Sequence, residues 1–502
     1  MLDDDRLRSH VRPPDWPNPT PKRLYDLVVI GGGTAGLVCA AGAAGLGARV
    51  ALIERARLGG DCLNTGCVPS KALLRSARVV GEARAGGRVG VAAESHVHFA
   101  AVMARMRARR ADIAPHDSAS RLAALGIDVF FGQASFTGRA AVRVDPVESQ
   151  PADEAQAPSS LRAELTFRRA VVATGSRPAI PAIAGLADVP FLTNETIFEL
   201  QEQPADLVVL GGGPIGCELS QAFARLGTRV TLLEHSAQLL PHEDEDAAAV
   251  VAAALAGDGV DVRLRTRVTS VHRADGGIRI VADGGEVIAS RLLVATGRAA
   301  NVDGLQLQVA GVVADADGIH VSDRMRTANR RIYASGDVAS KYKFTHAADA
   351  LSRIVLQNAL FFGRKRASAL VVPWCTFTDP EVAHVGIHSR EAVDGAATVT
   401  IPLREVDRAI VDDEIEGFVR IHHRRGRISG ATVVAPAAGE MIGAIAYAMQ
   451  NGHTLDRLAG IVFPYPTRSL AVRQAGDAYR RTKLTPGART VLQYYYRLGR
   501  RW

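Results

Sequence analysis

The chain has 502 residues and a formal net charge of +8, a length that predicts about three compact domains. With 47% hydrophobic residues, 22% charged residues and 48 glycines, its composition excludes disordered and collagen-like classes and fits a globular α/β protein. Five cysteines are too few for a secreted disulfide framework, the opening MLDDDRLRSH is charged, and no apolar run reaches the roughly 20 residues of a membrane span, so a cytoplasmic protein without membrane insertion is expected.

Taken in chain order, residues 1–22 contain Pro13, Pro14, Pro17, Pro19 and Pro21 and read as an extended N-terminal arm. A β-rich run over 24–30 leads into the glycine turn Gly31, Gly33, Gly36, then an alanine-rich helix, then a strand over 48–54 that closes on Glu54. GGDCLNTGCVPSK follows at 59–71, and a polar stretch over 148–160 reads as a surface loop. The opening design returns at 206–234, with Gly211, Gly213 and Gly216 between strand and helix and Glu234 closing the next strand. Past about residue 367, strands and helices alternate without a glycine-rich turn, which suggests a third, α+β domain. The tail VLQYYYRLGRRW is aromatic and basic and reads as a packed C-terminal helix. Elsewhere the basic residues are dispersed with no repeated aromatic-basic pattern, so nucleic acid is not an expected partner.

A lone GxGxxG is weak, but each of these follows a strand, opens a helix and is answered by an acid about 20 residues on. The first glycine permits the tight turn, the second lets the backbone approach a pyrophosphate, and the helix N-terminus supplies unpaired N–H groups to that anion. Two such sites predict two dinucleotides. Glu234 favours a free ribose 2′-hydroxyl, hence NADH over NADPH, and no arginine lies in the next several residues to hold a 2′-phosphate.

Cys62 and Cys67 admit three readings. A metal clip wants four ligands and no second Cys/His pair matches this one, so no metal site is expected. A static staple would close a tiny loop and add little. A disulfide five positions apart needs irregular backbone, which Asn64, Thr65 and Gly66 can provide, and Pro69 suits the first turn of a helix whose positive end would favour a thiolate on Cys67.

GGDCLNTGCVPSK between two dinucleotide fingerprints resembles the redox-active segment of the class I pyridine nucleotide-disulfide oxidoreductases, which include dihydrolipoamide dehydrogenase, glutathione reductase and mercuric reductase. The likeness runs on through Ala173-Thr174-Gly175, Ala295-Thr296-Gly297-Arg298 and the TANRRIYASGD run that ends at Asp337. It implies two Rossmann-like domains and a C-terminal α+β dimerisation domain: FAD-binding over 23–199 and 318–366, NAD(P)-binding over 200–317, dimerisation with a tail over 367–502. Gly31, Gly33, Gly36, Glu54, Thr174, Gly175, Gly297, Gly336 and Asp337 would then serve cofactor binding, chiefly of FAD, and Gly211, Gly213, Gly216 and Glu234 would bind NAD(P)H. By the same resemblance Cys62 exchanges with the acceptor, Cys67 faces the flavin, and Lys71 and Glu218 pair beside the flavin and nicotinamide.

Disulfide-reducing members carry a histidine and, five residues on, a glutamate near the C-terminus, supplied by the partner subunit. Here Phe463-Pro464-Tyr465-Pro466-Thr467 puts tyrosine at the histidine position and Leu470 at the glutamate position. A phenol titrates near 10 and shuttles a thiol proton poorly, so turnover of lipoamide or glutathione disulfide is not expected. The Phe-Pro-Tyr segment resembles mercuric reductase, although LGRRW lacks that enzyme's vicinal cysteines and no CxxC domain precedes the first fingerprint. The expectation is a homodimeric FAD-dependent NAD(P)H oxidoreductase whose acceptor is a soft metal ion. The rival readings are a diaphorase or quinone reductase, a dihydrolipoamide dehydrogenase-like disulfide reductase, and a flavin-bound redox-sensing dimer.

Overall fold

A computed structural model describes residues 2–147, 162–392 and 395–500. The loop expected over 148–160 lies outside the described residues. The chain divides into two compact units, one built from residues up to 77, 96–211 and 268–370, the other from 78–95, 212–267 and 371 onward. The segment 200–317 contributes to both.

In the first unit, strand β1 (Tyr25–Ile30) pairs in parallel with β2 (Val50–Glu54), and β2 with β3 (Ile127–Phe131). Leu27, Val28 and Val29 are fully buried, as befits a parallel strand covered on both faces. A hairpin of β4 (Gln133–Gly138) and β5 (Ala141–Asp145) follows. The ten-residue β6 (Ala163–Val172) serves two neighbourhoods: its first part pairs antiparallel with β5, its second in parallel with β1 and with Ile332–Ala334. Asp206–Leu210 pairs in parallel with Arg291–Val294 in the same unit. The helix that follows the first glycine turn, α2 (Thr34–Gly45), is rich in small residues. Ala35, Cys39, Ala40 and Ala43 share a core with Ala348, Leu351 and Val355 of the helix Thr345–Leu360, and a side chain at Gly42 would strike Leu356.

The prolines predict an extended arm over the first 22 residues, but these are not wholly extended. Leu2–Val11 forms helix α1, with Asp3, Asp4 and Asp5 in its first turn and basic residues in its last, which suits the helix dipole. Leu7 and Val11, four positions apart on one face, are buried in the first unit's core. The prolines act only after Val11, where regular structure stops. Arg110, 1% exposed, ties α1 down: its guanidinium donates to Asp4, Glu199 and the carbonyl of Asn64.

In the second unit, Arg229–Leu233 pairs in parallel with Asp261–Arg263. Beyond residue 371 a five-stranded antiparallel sheet runs in the order Pro373–Thr376, Glu381–Gly386, Arg427–Ala435, Phe418–Arg424, Ala397–Pro402. Its inward residues Ala383, Val385, Val419, Ile421 and Val433 pack with Ile442 and Ile445 of helix Ala438–Gln450 and with Val472 and Ala475 of helix Leu470–Thr482. This is the expected α+β domain. Among the described residues no helix is long and apolar enough to cross a membrane.

Candidate active site

Cys62 lies in the short helix α3 (Gly60–Asn64), and Cys67 opens α4 (Cys67–Ala85). Thr65 breaks the helical path between them, and at Gly66 a Cβ would stand 2.9 Å from the Asp61 carbonyl, so the tight turn requires glycine. The turn rests on the first fingerprint: Gly59 N–H donates to Gly32 O at 2.9 Å, and a Cβ on Gly60 would stand 2.6 Å from Gly33 Cα. The two thiols hydrogen-bond to each other and divide their acidities. Cys67 is lowered to about 6, first by the bond from Cys62, then by Thr345 and by the charge of Lys71 one helical turn on, against a raising effect of burial. Cys62 is raised, by that same bond and by burial. In the reduced pair Cys67 is therefore the thiolate and Cys62 the thiol. Thr345 Oγ1, at the start of its helix, sits 3.4 Å from Cys67 Sγ.

The two glycine turns are near copies. Gly31 and Gly211 have φ of +105° and +106°, and a Cβ on either would collide with a carbonyl, Ala173 O at 2.3 Å and Ala295 O at 2.5 Å. Gly33 and Gly213 are N-caps in extended conformation with no side-chain cap, so the first N–H groups of each helix are left for a ligand or water. Glu54 accepts from Gly32 N at 2.6 Å and Ala56 N at 2.6 Å; Glu234 accepts from Gly212 N at 2.6 Å and Ser236 N at 2.7 Å. Burial raises the Glu54 carboxyl above its ordinary range.

A polar chain runs from the redox turn to Asp337. Asp61 takes an ion pair from Arg298 at 2.6 Å and a hydrogen bond from Asn194 at 3.1 Å. Arg298 donates to Ser176 Oγ at 2.7 Å, and Ser176 donates to Asp337 at 2.6 Å. Thr174 donates to the Asn301 carbonyl at 2.7 Å, and Gly175 and Gly336 hold φ of +68° and +78°.

A family profile described as pyridine nucleotide-disulphide oxidoreductase matches residues 25–351, and the dimerisation domain of that family matches 372–475. The chain belongs to the pyridine nucleotide-disulphide oxidoreductases. It is 34% identical over 467 residues to a mercuric reductase of Streptomyces lividans, covering 91% of this chain and 96% of that one. It is also 34% identical over 468 residues to dihydrolipoyl dehydrogenase 2 of Haloarcula marismortui, covering 91% and 96%. Among solved structures it is similar to the HOCl-induced flavoprotein disulfide reductase RclA from Escherichia coli, with TM-score 0.79, 28% identity and coverage of 90% and 99%. LpdA from Mycobacterium tuberculosis gives TM-score 0.81 at 30% identity, with coverage of 90% and 99%.

As a member of this family the chain is an FAD-containing, pyridine-nucleotide-dependent oxidoreductase of the mercuric-reductase-like kind. The first unit fits FAD: the uncapped helix start at Gly33, the close-packed glycines at 31, 36, 59 and 60 that leave backbone bare, and the Glu54 carboxylate stand beside the redox turn. Lys71 lies on α4 within electrostatic reach of Cys67. Glu218 lies in the other unit on helix Pro214–Arg225, 5% exposed, accepting from Phe377 N at 2.9 Å. Gly297 takes φ +137°, and its carbonyl accepts from Ala179 N. Tyr465 is 72% exposed and donates to Asp407 at 3.1 Å.

Thr345, Asp61 and Arg298 were not singled out as site residues by sequence. Asp61 and Arg298 lie inside the quoted motifs, so their positions were visible; only the fold brings their charges together. Cys39 and Cys217 are fully buried, and Cys375 is part-buried and lies 3.8 Å from Glu381. In the second unit Glu243, His384 and His388 come within 4.8 Å of one another. Their geometry does not suit a metal. The imidazoles stack in near-parallel planes, 3.6 Å and 6° apart, so their lone pairs run side by side, and both nitrogens of His384 already meet Thr432 and Gly386.

Proposed function

We propose that this enzyme oxidises NADH and delivers the electrons through the Cys62–Cys67 couple to a thiol-bound soft metal ion, working as a homodimer. When bound, FAD supplies two-electron transfer between the nicotinamide and the cysteine couple. The residues of the chain do the rest. Cys67 holds the negative charge of the reduced pair, supported by Thr345 and Lys71, while Cys62 keeps its proton until an incoming ion displaces it to solvent, and then offers the second thiolate. Soft thiolates suit soft cations.

The observation that carries this reading is Tyr465. It takes the place of a histidine that would titrate near neutrality, and its bond to Asp407 pushes its phenol higher still. A disulfide acceptor needs a proton at each leaving sulfur; a metal ion leaving as the reduced element does not. The mercuric reductase relatives support the same choice, and the dimerisation-domain match supports the homodimer. Glu234 supports NADH, since its carboxylate stands at the strand end where the ribose hydroxyls would sit and would repel a 2′-phosphate.

Steady-state assays of the FAD-loaded protein test this, with NADH and NADPH against Hg(II), quinones, lipoamide and glutathione disulfide. The expected result is Hg(II)-dependent NADH oxidation that disappears in Cys62→Ser and in Cys67→Ser. Quinone reduction that survives both variants while Hg(II) gives none would replace the proposal with a diaphorase. Rapid lipoamide reduction would restore the disulfide-reductase reading, and a higher kcat/KM with NADPH would refute the NADH assignment.

A further inference from the structure

The helix Pro486–Gly499 is well specified locally. Thr485 caps it by accepting from Ala488 N at 3.2 Å, and Pro486 fills its first turn. Yet none of its residues is buried. Val491 is 69% exposed and Tyr495 69%, with Leu492 and Leu498 also in the open. The expected packed tail is thus a helix that buries none of its residues. Its 14 residues span about 21 Å, a length marginal for an isolated helix in water unless its apolar face is covered.

That face is ordered. Ala488, Val491, Tyr495 and Leu498 recur at three- and four-residue steps on one side, and in the sequence Trp502 falls four positions after Leu498. Arg489, Gln493, Arg497 and Arg500 occupy the other side. The charge is equally uneven. Residues 478–502 hold seven Arg and Lys and no Asp or Glu, so of the chain's net charge of +8 this tail carries +7.

We propose that the helix Pro486–Gly499 is an interfacial element that docks the enzyme on an anionic lipid bilayer, lying in the plane with Val491, Tyr495 and Leu498 toward the acyl chains. Basic residues on one face and aliphatic and aromatic residues on the other match the headgroup boundary, where arginines meet lipid phosphates while tyrosines straddle the interface. A nucleic acid would engage the arginines and leave the apolar half in water. A second copy of the same tail would bring two strongly cationic segments together. An anionic bilayer satisfies both faces at once.

The test is co-sedimentation of the FAD-loaded full chain with vesicles of phosphatidylcholine alone or of equal parts phosphatidylcholine and phosphatidylglycerol. Binding is expected to the mixed vesicles only and to be released by salt. Replacing three charges together, Arg489→Gln, Arg497→Gln and Arg500→Gln, should weaken it about a hundredfold, at about fivefold per basic residue. Val491→Asp with Leu498→Asp should abolish it even at low salt. NADH oxidation with a soluble acceptor should be unchanged in both variants, showing that the fold is intact. No binding to the mixed vesicles, equal binding to both kinds, or full binding by the triple variant would overturn the proposal. So would a shift from dimer to monomer in the Val491→Asp, Leu498→Asp variant, which would make the helix a contact between copies, or tighter retention of duplex DNA than of vesicles.

Discussion

Thr345 Oγ1 stands 3.4 Å from Cys67 Sγ, across 278 residues of sequence. The hydroxyl is one of the influences that hold the Cys67 thiol down to about 6, alongside the bond from Cys62 and the charge of Lys71. A hydrogen bond to a charged group contributes about 1.5–3 kcal/mol. Thr345→Val should therefore raise the apparent pKa of Cys67 by about one to two units. The pH dependence of iodoacetamide alkylation at Cys67, resolved by mass spectrometry on the reduced enzyme, reads this directly. An unchanged profile would show that Thr345 touches the sulfur without tuning it.

Asp61 pulls the other way. Its carboxylate raises the Cys67 thiol, while its ion pair with Arg298 and its bond from Asn194 fix the redox turn. Asp61→Asn should shift the Cys67 alkylation profile to lower pH and speed amide exchange across residues 61–66. A shift to higher pH would mean that loss of turn geometry outweighs loss of the charge.

The glycine turns give a prediction that separates the two proposed dinucleotide sites. At Gly31 and Gly211, φ near +105° and a carbonyl within 2.5 Å of any Cβ exclude alanine without local distortion. Left-handed backbone costs an L residue about 1–2 kcal/mol before the clash is counted. Gly31→Ala should purify with FAD content reduced about tenfold or more. Gly211→Ala should keep its FAD and instead raise KM for NADH by at least about tenfold. Equal FAD content in Gly31→Ala and the native enzyme would refute the assignment of the first turn.

Much of this was legible because the relevant signals are local. A strand, a glycine turn, a helix and an acid at fixed spacing impose the twin geometries of Glu54 and Glu234, whose hydrogen bonds span the same 22 residues in each copy. The cysteine turn was legible for the same reason, since Gly66 and Pro69 announce the break and the helix start. What escaped depends on pairs far apart in the chain. Nothing local marks Thr345 as the neighbour of Cys67, or Arg298 as the partner of Asp61. The N-terminus was misread because five prolines outweighed the Leu7 and Val11 stripe. That stripe becomes meaningful only once Arg110, from a helix about a hundred residues away, anchors Asp4.

The stacked pair in the second unit bears on acid stability. His384 is fully buried, its ring lies 3.6 Å from that of His388, and Trp374 covers it while donating to Glu243 at 2.6 Å. Burial first, and the neighbouring His388 second, lower His384 to about 4 from its ordinary 6.5. An unfolded chain would therefore take up a proton at this site between pH 6.5 and 4 that the folded chain refuses, and stability must fall as pH falls through that window. The loss approaches about 3 kcal/mol at its lower end. His422 and His423, also lowered by burial, act with the same sign. Urea midpoints of the FAD-loaded enzyme should decline from pH 7 toward pH 4.5, and His384→Leu, whatever its stability at neutral pH, should show a shallower decline. An identical slope in the variant would place the acid sensitivity elsewhere. A shallower one would identify this buried imidazole as a group that must gain a proton for the second unit to open.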